Sequence, residues 1–167
     1  MLKYLQKAIM DRYNSTEGSD LRAICSGLWE NQAPTDVVLE SQSNVELENP
    51  PKPFITFEVI TTNLDMDFCN NRFSPIVDFA VRGDADNKTS LGCLEVYDEL
   101  IHLFGDVLLP MDSGYSMVRN NTVDMRKFKD GNNFWNIIVS FEMMIETVRQ
   151  VRQVRQVRQV RQVRQVR

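Results

Sequence analysis

Leu2, Leu5, Ile9 and Tyr13 recur at intervals of three and four residues, and the polar run from Asn14 to Asp20 ends that pattern. The spacing predicts an amphipathic helix of about 13 residues at the start of the chain. The apolar residues between Leu21 and Trp29 predict a short strand. The segment from Glu30 to Pro53 is polar and carries three prolines near its end. It is too long for a turn and predicts an extended loop or a β-arm. Beyond it, Ile55, Phe57 and Val59 alternate with polar or outward positions, and Val77, Phe79 and Val81 do the same, which predicts two strands. Leu91, Leu94, Tyr97, Ile101 and Phe104 then share one helical face, widened by Cys93, Val96, Leu100 and Leu103, with Gly105 as the C-terminal stop. The last two segments, Tyr115 to Phe128 and Phe134 to Glu146, flank an Asp130-Gly131 pair and predict a β-hairpin. Trp135, Ile137, Val139, Phe141, Met143 and Ile145 of its second strand point inward.

The order helix, strand, long arm, strand, strand, helix, strand, strand defines an α+β domain. Its most economical packing is one mostly antiparallel sheet with two helices on one face. Ile60, Ile76, Ile138 and Met144 fall on the other face of their strands, so part of that second face is expected to be buried in assembly.

Composition changes the picture at one end. From Val148 to Arg167 the chain is six copies of Val-Arg-Gln and a final Val-Arg, with no Gly, Pro or acidic residue. In a helix a period of three spirals the valines around the axis, and in a strand it sends them to alternate sides, so no one-sided apolar stripe forms. Residues 1–147 hold 12 basic against 23 acidic residues, a formal charge of −11, while the repeat carries +7. Body and tail attract each other. The plainest reading of the repeat is a solvated tail left by slippage in the coding DNA. The alternative is an arm whose arginines find carboxylates on an acidic neighbour and strengthen assembly through several weak contacts.

The 147-residue body suffices for one core and is short for two. The first residues lack the apolar block of a signal peptide, and no stretch approaches the ~18 apolar residues of a membrane span. Cys25, Cys69 and Cys93 are odd in number and widely spaced, which indicates neither a disulfide framework nor a metal site and fits a reducing cytoplasm.

Candidate chemistry is sparse. His102 is the single histidine and reads as a boundary residue on the second long helix. Asp84 and Asp86 begin a calcium-loop pattern, but Lys88 stands where the third oxygen ligand belongs, so the segment reads as a turn with Asn87 or a neighbour capping the helix. Asp65 and Asp67 form a possible carboxylate pair and read as a solvated strand end. No phosphate-binding glycine loop or nucleophile motif is present. The expectation is a protein that is not an enzyme and uses no metal or cofactor.

The N-terminal helix, then Gly27-Leu28-Trp29-Glu30-Asn31-Gln32-Ala33-Pro34, then the Pro53-Phe54 opening of a strand, a strand ending at Val81-Arg82-Gly83-Asp84, the helix around Cys93 to Phe104 and the terminal hairpin stand in a recognisable order. Over residues 1–146 the chain resembles the small tail-completion or tail-terminator proteins of long-tailed bacteriophages. Two segments depart from that pattern: Thr35 to Lys52 intervenes before the Pro-aromatic strand, and the Val-Arg-Gln repeat has no counterpart.

The resemblance implies a structural virion protein, a homo-oligomeric ring with a hexamer as the expected form, at the head-proximal end of the tail tube. Its partners would be further copies of itself, the tail tube protein and a neck or head-completion protein, with DNA passing through unbound and no membrane involved. An acidic channel suits that passage, since DNA carries a charge about every 1.7 Å of axis. The place of action would be the virion tail and neck, and the host cytoplasm during assembly. Interface candidates are Trp29, Pro34, Val37, Val38 and Leu39 in or beside the arm, Ile60, Ile138 and Met144 on the second face, and Arg149, Arg152 and Arg155 in the repeat. The alternatives are another head-closure, neck or tail component, and a nucleic-acid-binding protein that uses the basic tail.

Overall fold

Phe79 occupies the middle of strand β4 (Ile76–Arg82), and the domain is built outward from it. Its ring stacks on Phe104 at 5.0 Å, meets Phe141 edge-on at 5.6 Å and lies 5.9 Å from Phe57. Each such ring, fully buried, contributes roughly 1.5–3 kcal/mol by leaving water. The computed structural model describes residues 1–40, 52–60, 72–83, 91–112, 114–130 and 134–147. Asp65 and Asp67, the turn from Asp84 to Lys88, Gly131, most of the expected arm and the whole repeat with Arg149, Arg152 and Arg155 lie outside the described residues.

The fold is α+β with one sheet. Strand β2 (Phe54–Ile60) and β6 (Trp135–Thr147) flank β4, both antiparallel to it, and β5 (Tyr115–Lys129) pairs antiparallel with β6 along its full length. The short β1 (Leu28–Glu30) joins β2 in parallel at the far edge, the one parallel pairing among the described strands. The two-residue β3 (Arg72–Phe73) lies in line with β4 on the same side of β6, separated from it by Ser74 and Pro75. A proline there cannot donate to the ladder, so the strand breaks, although the Pro75 carbonyl still accepts from the Met143 N–H at 3.0 Å.

The cross-strand register places Ile55, Phe57 and Val59 beside Val81, Phe79 and Val77, and these beside Ile137, Val139 and Phe141. That face is the core. Helices α1 (Leu2–Asn14) and α4 (Leu91–Phe104) cover it, as their spacing predicts, through Leu5, Ile9 and Tyr13 and through Cys93, Val96, Leu100 and Leu103.

Two expectations are corrected. The segment expected as a strand from Leu21 to Trp29 is mostly α2 (Ser19–Ile24), a third helix in the layer, and only Leu28–Glu30 is extended. Leu21, Ile24, Cys25 and Leu28 also fit helical spacing, and Asp20 in the first turn favours that choice. The start of the expected extended arm is α3 (Thr35–Glu40). Pro34 needs no donor at a helix start, and its carbonyl accepts from the Val38 N–H at 3.2 Å.

Helix ends are closed by side chains from other elements. The Arg22 guanidinium donates to the carbonyls of Tyr13 and Ser15, finishing α1 from α2. At the end of α4 the left-handed residue is Asp106, φ 56°, and not Gly105. Gly105 matters for a different reason: a Cβ there would lie 2.6 Å from the Ile101 carbonyl oxygen, to which the Gly105 N–H donates. The buried Asn120 of β5 donates to the carbonyls of Phe104 at 2.6 Å and Val107 at 2.9 Å, and Arg12 of α1 donates to that of Leu103 at 3.3 Å.

Asn120 reaches that position because β5 holds one extra residue at Val118, where the register slips from Met117–Ile145 to Arg119–Met144. A second slip at Val123 keeps Met125 opposite Val139. Replacing Asn120 by Ala leaves the Val107 carbonyl without its side-chain donor and the buried Phe104 carbonyl with only the Val107 N–H at 3.3 Å, and is expected to cost about 1–3 kcal/mol in urea denaturation, whereas Ser116→Ala on the exposed part of the same strand stays within about 0.5 kcal/mol.

Candidate functional site

The two cysteines among the described residues are buried and held as thiols. Cys25 and Cys93 are free and buried. Burial pushes the Cys93 thiol up to about 11, and burial likewise raises that of Cys25, whose sulfur lies 3.5 Å from the Tyr13 hydroxyl. Neither is a thiolate at neutral pH, and a thiol is a poor nucleophile. His102 is exposed in the last turn of α4. Among the described residues no group of three or more His, Cys, Asp or Glu could hold a metal ion, and no helix is long and apolar enough to cross a membrane.

The surfaces are more informative. On the second face of the sheet, Trp29, Thr56, Ala80, Ile138 and Arg126 form one row across β1, β2, β4, β6 and β5. The next row is acidic, with Glu58, Asp78, Ser140 and Asp124, and the one after holds Ile60, Ile76, Glu142 and Asn121. Met144 lies further along, opposite Arg119, whose guanidinium is 3.9 Å from Glu142. The face therefore mixes apolar and charged rows; it is not one continuous apolar patch. Ile60 is exposed, while Ile76, Ile138 and Met144 are half-buried.

One end of this face is closed by the chain itself. Phe54 and Phe134 are buried there, and the Trp29 indole meets Phe54 edge-on at 6.4 Å. Gly27 leaves the space that the indole occupies, since a Cβ on it would touch the ring. The Arg82 guanidinium lies 5.0 Å from the Phe134 ring centre and pairs with Asp130. Asp130 also exchanges hydrogen bonds with the Phe134 backbone, which clamps the hairpin end. Of the sequence candidates, Trp29 is thus partly committed to its own domain, Pro34 is exposed, and Val37 and Val38 are half-buried in α3. The side chain of Leu39 lies outside the described residues.

The sequence reading missed the outer edge. β5 has 15 residues, against about 5–6 for a usual strand, and among the described residues it pairs only with β6. Val118 is 41%, Val123 58%, Met125 42% and Phe128 43% exposed along it. Arg126, Lys127 and Lys129 are interleaved with them, and both lysines lie over the Trp135 ring at 5.1 and 4.9 Å. Asp124 hydrogen-bonds the Arg126 guanidinium at 2.7 Å, which lowers its carboxyl below the usual range. These four apolar residues keep no single parity because two of them, Val118 and Val123, are the register slips themselves. Period-two counting therefore finds no stripe.

No family model matches the chain, and a comparison with curated proteins finds no match. The functional reading rests on the surfaces above and on the sequence pattern.

The buried Cys93 thiol holds its proton to higher pH than the unfolded chain does. The unfolded state releases protons first, so stability falls as pH rises from the ordinary thiol value of 9.0 toward about 11. Thermal melts at about pH 8 and about pH 10.5 should show a drop that is smaller in Cys93→Ala than in the unaltered chain.

Proposed function

We propose that this chain is a structural virion protein that caps the head-proximal end of a phage tail tube, ends tail growth and forms the interface to the neck. It acts through contacts and not through turnover, without cofactor or metal. The observation that carries this reading is the long β5 edge. An edge strand with free backbone groups and exposed apolar side chains is a template for association. The order of sequence elements supplies the class of assembly, and the edge supplies a means of joining.

The charges favour a head-to-tail contact. Two β5 edges brought together would bring the four cations Arg119, Arg126, Lys127 and Lys129 of one copy close to the four of the other, and like charges near each other across strands are destabilising. An edge that repels its own copy pairs with a different, acidic surface of the next protomer, and such a heterologous contact closes into a ring when its rotation allows. Further copies of the chain, the tail tube protein and a neck component are the partners in this reading.

Electron microscopy of the purified full chain, alone and mixed with tail tubes, tests it. The expected images are closed rings and tubes capped at one end. Binding to the portal side with tube ends left bare would instead favour a head-closure component, and absence of both rings and caps would sink the reading. The paired change Val123→Lys and Met125→Lys is expected to abolish ring formation while shifting stability by no more than about 0.5 kcal/mol, since both positions face solvent.

A further inference from the structure

Between α2 and α4, on the outer surface of the helical layer, lies a groove of about 470 Å³ lined by Asp20, Ala23, Ile24, Glu95, Asp98 and Glu99. Ala23 and Ile24 give it an apolar floor. Asp20 stands on the α2 wall, and Glu95, Asp98 and Glu99 stand on the α4 wall. Among the described residues, none of the ion pairs uses these four carboxylates. Arg22 is committed to the carbonyls that end α1, and the Lys52 ammonium donates to the carbonyl of Ala23 at the edge of the groove, not to one of the four carboxylates.

We propose that this groove is the docking site of the chain's own Val-Arg-Gln repeat. Charge is the first argument. The repeat carries seven arginines and no acid, and the groove presents four carboxylates that have no guanidinium or ammonium partner among the described residues.

Period is the second argument. In an extended chain successive side chains alternate, so residues three apart point to opposite sides. A repeat of three therefore sends its arginines alternately left and right. That pattern spoils a one-sided stripe but suits a groove with carboxylates on both walls, where the planar guanidinium can meet each carboxylate through two hydrogen bonds.

Reach is the third. The repeat follows Thr147, whose strand partner is Tyr115, and the Tyr115 ring lies 5.7 Å from that of Tyr4 in the first turn of α1. The 13 residues of α1 span about 20 Å, and its far end leads into α2. An extended chain at about 3.3 Å per residue covers ~20–30 Å in roughly six to nine residues, which leaves about four arginines for the groove. A tethered segment also meets its site at an effective concentration near the millimolar range, so weak individual pairs suffice.

The arginines are themselves trypsin sites, so docking is read directly as protection. The full chain is treated with trypsin at low salt, and cleavage after Arg149 through Arg164 is timed by mass spectrometry against a free peptide of residues 148–167 in the same tube. The expected result is cleavage about tenfold slower in the chain than in the peptide, with protection lost at about 0.5 M salt, where screening is strong. The groove variant Glu95→Gln/Asp98→Asn/Glu99→Gln should lose protection at low salt. The pair Asp20→Asn/Asp98→Asn, with one change on each wall, provides a second reading if the triple variant melts early. Protection should not change on tenfold dilution. Cleavage at the free-peptide rate, protection that survives both variants, or protection that fades with dilution would overturn the assignment. The last outcome would place the repeat on another copy.

Discussion

The C-terminal end of α4 is drawn into the core, where the Phe104 carbonyl is buried and its neighbours are part-buried, and pairing these carbonyl groups organises the rest of the domain. Phe104, the last residue of the helix, is fully buried against Phe79, so the helix cannot end in solvent as most do. Donors must come from the protein. They come from two sides, Arg12 from α1 and Asn120 from β5, so the helical layer and the outer hairpin strand are joined at one point. Asn120 can serve only because the extra residue at Val118 turns it inward. Without that slip Arg119 would face the core, since a shift of one residue exchanges the two faces of a strand. A feature that looks like an irregularity of the edge is therefore a condition for closing the helix.

The same slips shape the outer surface. A residue inserted at Val118 and again at Val123 bends and twists the strand and leaves two valines in solvent. Lysines and arginines between them oppose indiscriminate strand pairing, which is how exposed edges are kept from aggregating. The edge therefore has apolar area available for association and charge that restricts the partner. At the opposite edge β1 has only three residues, and Trp29 beside it leans on Phe54. Among the described residues, the β5 edge is therefore unpaired along its length while the opposite edge offers only three residues.

How much of this was legible in the sequence differs by element, for physical reasons. α1, α4, β2, β4 and β6 pack one face or one stripe against the core, so Ile55, Phe57, Val77, Phe79, Val81 and the alternating residues of β6 announce themselves. The helix at Ser19–Ile24 was not legible because six residues give less than two turns, and Leu21, Ile24 and Cys25 satisfy a strand or a helix equally well. α3 was hidden by its polar setting, where Pro34 reads as a breaker and in fact starts a helix. The outer edge was the largest loss. Its exposed residues change parity twice, and nothing local in the sequence announces a register slip. The groove between α2 and α4 was out of reach for another reason: Asp20 and Asp98 are 78 positions apart, and only the fold sets their walls side by side.

Distribution of charge, more than its total, then decides how such a chain can associate. The body is strongly acidic, yet four of its 12 basic residues lie in β5. A uniformly acidic surface would repel every copy of itself. Concentrating cations on one edge separates them from the carboxylates of the α2–α4 groove, which among the described residues have no ion-pair partner, so the two regions carry opposite charge while each is repulsive toward its own kind. Such attraction between exposed groups is weak pair by pair and reaches only about 8–10 Å at ordinary ionic strength. It can orient an encounter, but the lasting free energy must come from the apolar side chains that the edge exposes beside those charges, Val123, Met125 and Phe128. The arrangement of charge selects the geometry of contact, and the buried area holds it.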